Sequence, residues 1–134
     1  MTEPPFVGID VAKDNLDVAL RPGGKPERIR NRQAEVDDLV QRLCDLQPAL
    51  IVLEATGGLE IPLAGALAVA GLPVAVVNAR QVRDFARATG QLAKTDRIDA
   101  QVLAHFGEAV RPVPRPLPDP EAQQVGAYWP GGAR

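Results

Sequence analysis

No serine occurs among the 134 residues, which removes every serine-nucleophile mechanism from this chain. The single cysteine, Cys44, excludes an internal disulfide framework and a cysteine-rich zinc site, and its place in a helical pattern reads as ordinary core. Aromatic residues amount to 4%, so the core must be aliphatic. The longest apolar run, 61–77, is broken by Pro62, Gly71 and Pro73 and falls short of a membrane span. The first residues lack the basic start and apolar stretch of a signal peptide, so the expectation is a cytoplasmic protein without membrane contact. Neither sign of charge dominates: the net charge of -2 argues against a uniformly basic coat for nucleic acid and leaves room for a local basic face.

What is present describes one globular domain. Hydrophobic residues make up 46% and charged residues 24%, and the length supports one compact core rather than two. Phe6–Asp10 and Leu16–Leu20 are short β-favouring runs, and 26–31 supplies a third after the turn Arg21-Pro22-Gly23-Gly24, which together predict an antiparallel meander. Val36, Leu39, Val40 and Leu43 repeat at helical spacing, with Glu35, Asp37 and Asp38 near the start where carboxylates suit the helix dipole. The continuously apolar 49–53 is expected as a strand buried on both faces, ending in Glu54. Thr56-Gly57-Gly58 then opens a helix that Gly71 stops, Pro73–Asn78 is a further buried strand, and helices are expected over 79–89 and 96–109. The order is βββαβαβαα, an α/β ribonuclease-H-like mixed five-stranded sheet flanked by helices. From Arg111 onward proline and glycine accumulate without an apolar period, so residues 1–110 are read as the domain and 111–134 as an extended tail.

The chemistry rests on acids. In such a sheet the first and fourth strands are neighbours and the ligand site lies beyond their carboxyl ends, where Asp10 and Glu54 fall. Asp96 and Asp99 are three apart in the last expected helix, about 5–6 Å from each other at Cβ. The helical period places Asp99 within the apolar stripe of Ile98, Val102, Leu103 and Phe106, where a carboxylate is costly unless paired or metal-bound. Thr95 or Asp96 at the helix start, with Asp99 three later, also fits a helix N-terminal cap, a reading that suits Asp96 better than Asp99. The opposite face carries Arg97, Gln101, His105 and Glu108, which need only water, and His105 is read as inert. Asp14, Asp17, Asp37, Asp38 and Asp45 are read as solvated. Converging carboxylates repel one another unless a hard divalent cation compensates, and oxygen-only donors select magnesium or manganese. Two such ions about 3.5–4 Å apart stabilise both attacking and leaving oxygens of a phosphodiester, which points to cutting or transferring a nucleic-acid strand.

Three blocks carry a resemblance in order along the chain: Val7-Gly8-Ile9-Asp10-Val11-Ala12-Lys13, Leu53-Glu54-Ala55-Thr56-Gly57-Gly58 and Lys94-Thr95-Asp96-Arg97-Ile98-Asp99-Ala100. They resemble the signature blocks of the DEDD transposases of the IS-one-ten insertion sequences, a family that includes the Piv invertases and the RNA-guided bridge recombinases. The resemblance runs from about Phe6 to Gln123 and covers the family's N-terminal RuvC-like domain. It implies that Asp10, Glu54, Asp96 and Asp99 are the metal-binding acidic tetrad, holding two Mg2+ or Mn2+ ions, with DNA as partner and a guide RNA as a second candidate. Family members continue into a C-terminal domain whose serine links covalently to DNA. The expectation is therefore a truncated, frameshifted or split copy that needs the serine-bearing domain or other copies for recombination.

Arg80, Arg83 and Arg87 share one helix face opposite Val82, Phe85 and Ala86, and residues 80–115 carry seven basic and four acidic side chains, so a phosphate-backbone contact is favoured there. Lys13 and Lys94 are candidates to meet phosphates beside the metals. Thr56-Gly57-Gly58 offers a phosphate-binding helix start or, more simply, a tight turn. Tyr128 and Trp129 offer base stacking. The alternative reading is a catalytically silent transposase remnant that binds nucleic acid or other transposase copies. A sugar-kinase-like or actin-like ATPase half is set aside, because Val11-Ala12-Lys13-Asp14 contains no phosphate-binding glycine turn.

Overall fold

The computed structural model of the protein describes residues 3–91 and 98–116. Its elements are β1 (Phe6–Val11), β2 (Asn15–Arg21), β3 (Glu27–Arg30), α1 (Gln33–Leu46), β4 (Leu50–Glu54), α2 (Ile61–Val69), β5 (Val74–Val77), α3 (Ala79–Ala88) and α4 (Ala100–Val110). The expected order is reproduced. The sheet runs β3-β2-β1-β4-β5, with β1–β2 and β2–β3 antiparallel and β1–β4 and β4–β5 parallel. The two short turns of the meander can only return the chain antiparallel, whereas the α1 and α2 crossovers bring β4 and β5 in parallel.

Because successive strand side chains point to opposite faces, each central strand serves two cores. Val7, Ile9, Ile51 and Leu53 face a core that Leu39 and Leu43 of α1 and Leu63 and Leu67 of α2 complete. Phe6, Leu50, Val52 and Val77 face the other, filled by Val82 and Ala86 of α3 and by Val102, Leu103 and Phe106 of α4. Double coverage is why 50–53 is continuously apolar and wholly buried. Cys44 is half-buried rather than deep core.

Two helix starts differ from expectation. α2 begins at Ile61, with Pro62 in its first turn, and not at Thr56. Gly57 and Gly58 have φ of 77° and 118°, a backbone that leaves the helical path and forms a turn. α4 begins at Ala100, because Asp99 adopts an extended conformation (φ -120°, ψ 178°) that closes the helix N-terminally.

Beyond α4 the chain turns back through Arg111, which has φ 53°, and reaches β5. There the Arg115 amide donates to the Val74 carbonyl at 2.6 Å and the Val76 amide donates to the Arg115 carbonyl at 2.8 Å. Arg115, within the expected tail, thus pairs with the edge of the sheet. Among the described residues no helix is long and apolar enough to cross a membrane.

Candidate active site

Asp10 and Glu54 each follow a paired residue: Ile9 of β1 lies opposite Leu53 of β4, so the next step of the parallel register sets the two acids side by side. Both are half-buried and both point to the face covered by α3 and α4, because their neighbours Ile9, Val11 and Leu53 point to the other. The row continues across the sheet. Asp10 is opposite Asp17 of β2, Asp17 is opposite Arg28 of β3, and Glu54 is opposite Val77 of β5.

Asp17 belongs to this row, which corrects its reading as a solvated acid. Its carboxylate receives both Nε (2.8 Å) and Nη2 (3.0 Å) of Arg28. That bond, then the charge of Asp17, raises the guanidinium pKa of Arg28, with a smaller push from Asp10. The signal was available in part: Asp17 alternates with Leu16 and Val18, and a three-residue turn from Val11 fixes which residue faces Asp10.

Gly8 brings the last helix to the same place. A Cβ at Gly8 would collide with the Ala100 carbonyl oxygen and the Ala104 amide, while Gly107 lies against Val52, Phe6 and Leu50. α4 therefore runs antiparallel to β1, and its N-terminus stands at the carboxyl end of β1 and β4. Asp99 arrives there as the cap, its Oδ1 accepting from the Val102 amide at 2.9 Å. The expectation that Asp99 lies inside the apolar stripe is overturned: the residue is exposed, and the cap reading, the less favoured one for Asp99, is the one it takes. Asp96 and Lys94 lie outside the described residues, as do Tyr128 and Trp129. Among the described residues no group of three His, Cys, Asp or Glu side chains stands ready to hold a metal ion.

The loop after Glu54 is shaped by a residue that sequence reasoning missed. Glu60 is 2% exposed, the one buried charged residue among those described. Its Oε1 accepts from the Thr56 amide (3.0 Å), the Thr56 hydroxyl (3.1 Å) and the Gly58 amide (3.1 Å). The amides that a phosphate would need are therefore engaged, and the tight-turn reading of Thr56-Gly57-Gly58 is the structural one.

Lys13 is exposed in the turn between β1 and β2. On α3, Arg80 and Arg87 are exposed and Arg83 half-buried, while Val82 and Ala86 are buried, so the arginine face is real. The Asn78 side chain caps this helix by accepting from the Arg80 amide at 2.7 Å. His105 departs from its expected solvated face: it is half-buried, its ring meets Phe85 edge-on at 5.0 Å, and its Nδ1 is buried without a hydrogen bond. Its neighbour on that face, Glu108, pairs with Arg21 rather than with water alone.

A family model described as a transposase of the DEDD IS110 type matches residues 7–126. The chain belongs to the DEDD transposase family. Its fold is also that of a solved structure, that of T. thermophilus RuvC in complex with a Holliday junction substrate, with a TM-score of 0.50 and 17% identity over 81% of this chain and 96% of RuvC. That likeness establishes for the DEDD transposase chain the RuvC-like, ribonuclease-H-like architecture expected from its strand order. No curated protein matches it.

Proposed function

We propose that this chain is the metal-binding, DNA-cutting domain of a DEDD transposase, acting on phosphodiesters in the cytoplasm. One observation carries the reading: Asp10 and Glu54 stand side by side at the carboxyl edge of two parallel strands, and Gly8 admits the helix start bearing Asp99 to that edge. Asp10, Glu54, Asp96 and Asp99 are the proposed ligands, and Lys13, Lys94 and the Arg80, Arg83 and Arg87 face the proposed phosphate contacts. The donor set fits a hard cation, since every donor is a carboxylate oxygen. Two Mg2+ or Mn2+ ions, when bound, supply charge stabilisation for the attacking and leaving oxygens. The residues themselves hold the strand edge rigid: the sheet fixes the separation of Asp10 and Glu54, and Glu60 fixes the turn that follows. The RuvC relative bound to a Holliday junction substrate supports DNA as the partner. A guide RNA is a second candidate through the bridge recombinases of the family.

Melting curves with and without Mn2+ test the assignment. An ion at a hundred times its dissociation constant stabilises the folded chain by about 2.7 kcal/mol. Asp10→Asn and Glu54→Gln should each abolish that gain, and an unchanged gain in both would remove the site. The second reading, a chain that binds nucleic acid without cutting it, is favoured by the exposed, cap-engaged Asp99. It requires that Mn2+ give no shift in the unsubstituted chain while DNA still binds.

A further inference from the structure

The outer strand β3 carries Glu27, Arg28, Ile29 and Arg30. Ile29 packs into the core shared with α1 and α2, so Arg28 and Arg30 project from the opposite face, the one that bears Asp10, Asp17 and Glu54. α4 packs on β1, β2 and β4, and the Arg28 side chain remains 67% exposed at the open side of the sheet. Asp17 holds one edge of the guanidinium through two of its five N–H donors, which leaves three directed away from the pair. Arg30 is opposite Asn15, a residue without charge, and is exposed.

The neighbouring turn is fastened to the same strand end. The Asn31 side-chain amide donates to the Ala12 carbonyl at 2.8 Å, and its backbone amide donates to the Asp14 carbonyl at 2.9 Å. The backbone on either side of Lys13 is therefore fastened to the end of β3, next in sequence to Arg30. Arg28 and Arg30 lie on the side of the carboxylate row remote from β5, with Lys13 exposed on the adjoining turn, and strand spacing puts Arg28 about 10 Å from Asp10 at the backbone.

We propose that Arg28 and Arg30 form, with Lys13, a phosphate rim that holds the DNA strand lying over Asp10 and Glu54. This rests on the DNA-cutting reading of the site. Charge complementarity selects the occupant: a polyanion that reaches the carboxylates needs cations flanking them, and these are placed where a backbone leaving the acids across β2 would pass. Charged edge strands also discourage strand addition, but that purpose is served by charges on either face. The alternation of β3 instead puts both arginines on the acid-bearing face, and Asp17 sets the plane of one of them.

The test measures binding of a fluorescent Holliday junction to the full chain across roughly 50 to 200 mM salt, together with Mn2+ melting shifts. Arg28→Gln with Arg30→Gln should weaken binding about tenfold or more and reduce the slope of log K against log salt by about two, with a Mn2+ stabilisation still present. Arg28→Lys with Arg30→Lys should restore most of the binding, because a point charge suffices for phosphate. If the double Gln variant melts early, Arg30→Gln alone should still reduce the slope by about one. An unchanged slope in a chain that binds the junction and responds to Mn2+ overturns the rim and leaves the acid site standing. Absence of junction binding by the unsubstituted chain overturns the rim as well, whereas absence of its Mn2+ shift overturns the acid site, whatever the arginines do.

Discussion

Gly8 of β1 and Ala100 of α4 touch backbone to backbone, with no room between them for a methyl group. The collision that a Cβ would create is with main-chain atoms of Ala100 and Ala104, which no rotamer change can relieve. Gly8→Ala should therefore cost about 1–3 kcal/mol in urea denaturation, the usual range for overpacking. It should also weaken Mn2+ stabilisation, since the helix start that carries Asp99 is pushed off the strand that carries Asp10. A variant as stable as the parent would show that α4 is not seated on Gly8.

Glu60 gives a contrast between two substitutions. Gln keeps an oxygen able to accept from Thr56 and Gly58, whereas Ala leaves those donors without their acceptor. Glu60→Ala should lose about 1–3 kcal/mol or more, and Glu60→Gln clearly less. Equal losses in paired denaturant curves would mean that the carboxylate's charge, not its hydrogen-bond geometry, holds the turn.

The strand order, the parallel pairing of β1 with β4 and the placement of Asp10 and Glu54 were legible because they follow from patterns short in sequence: apolar runs, turn residues and an acid ending each run. Asp17 was harder to read, since its partner Arg28 lies on another strand and only the register of two hairpins brings them together. Asp99 misled for a related reason. The helical period through Ile98, Val102 and Phe106 continues past the true helix start, and periodicity alone cannot show that an aspartate has left the helix to cap it. Glu60 carried no signal until Gly57 and Gly58 were seen to bend the chain back over it.

His105 sets a pH dependence. Burial, and secondarily the charge of Arg21, holds its imidazole below the ordinary value, against an opposing pull from Glu108. The folded chain thus takes up the proton less readily than the unfolded one, so stability present above about pH 6.5 is lost progressively as the pH falls below it. Thermal melts between pH 7.5 and 5.5 should show a shallower decline for His105→Gln than for the parent. Parallel declines would show that His105 titrates alike in both states.

A covalent DNA adduct through serine, or through the threonines among the described residues, is not expected from this chain. Serine is absent, and the two threonines among the described residues have their hydroxyls engaged: Thr56 with Glu60, and Thr89 with the Phe85 and Ala86 carbonyls. Incubation with a supercoiled junction substrate and Mg2+, followed by denaturing gels with and without protease, should reveal no protease-sensitive product. Slow nicking lost in Asp99→Asn would agree with water as the nucleophile.

The stretch from Pro112 to Arg115 also decides how the sheet meets the outside world. Through Arg115, which pairs with Val74 and Val76, it occupies backbone groups of β5 that would otherwise template another chain, as unpaired strand edges do. At the opposite border, β3 offers arginines and a glutamate in place of a flat apolar margin. A neighbouring copy that approached edge to edge would meet a border engaged at Val74 and Val76 on one side and a charged one on the other, so both borders disfavour extending the sheet from copy to copy.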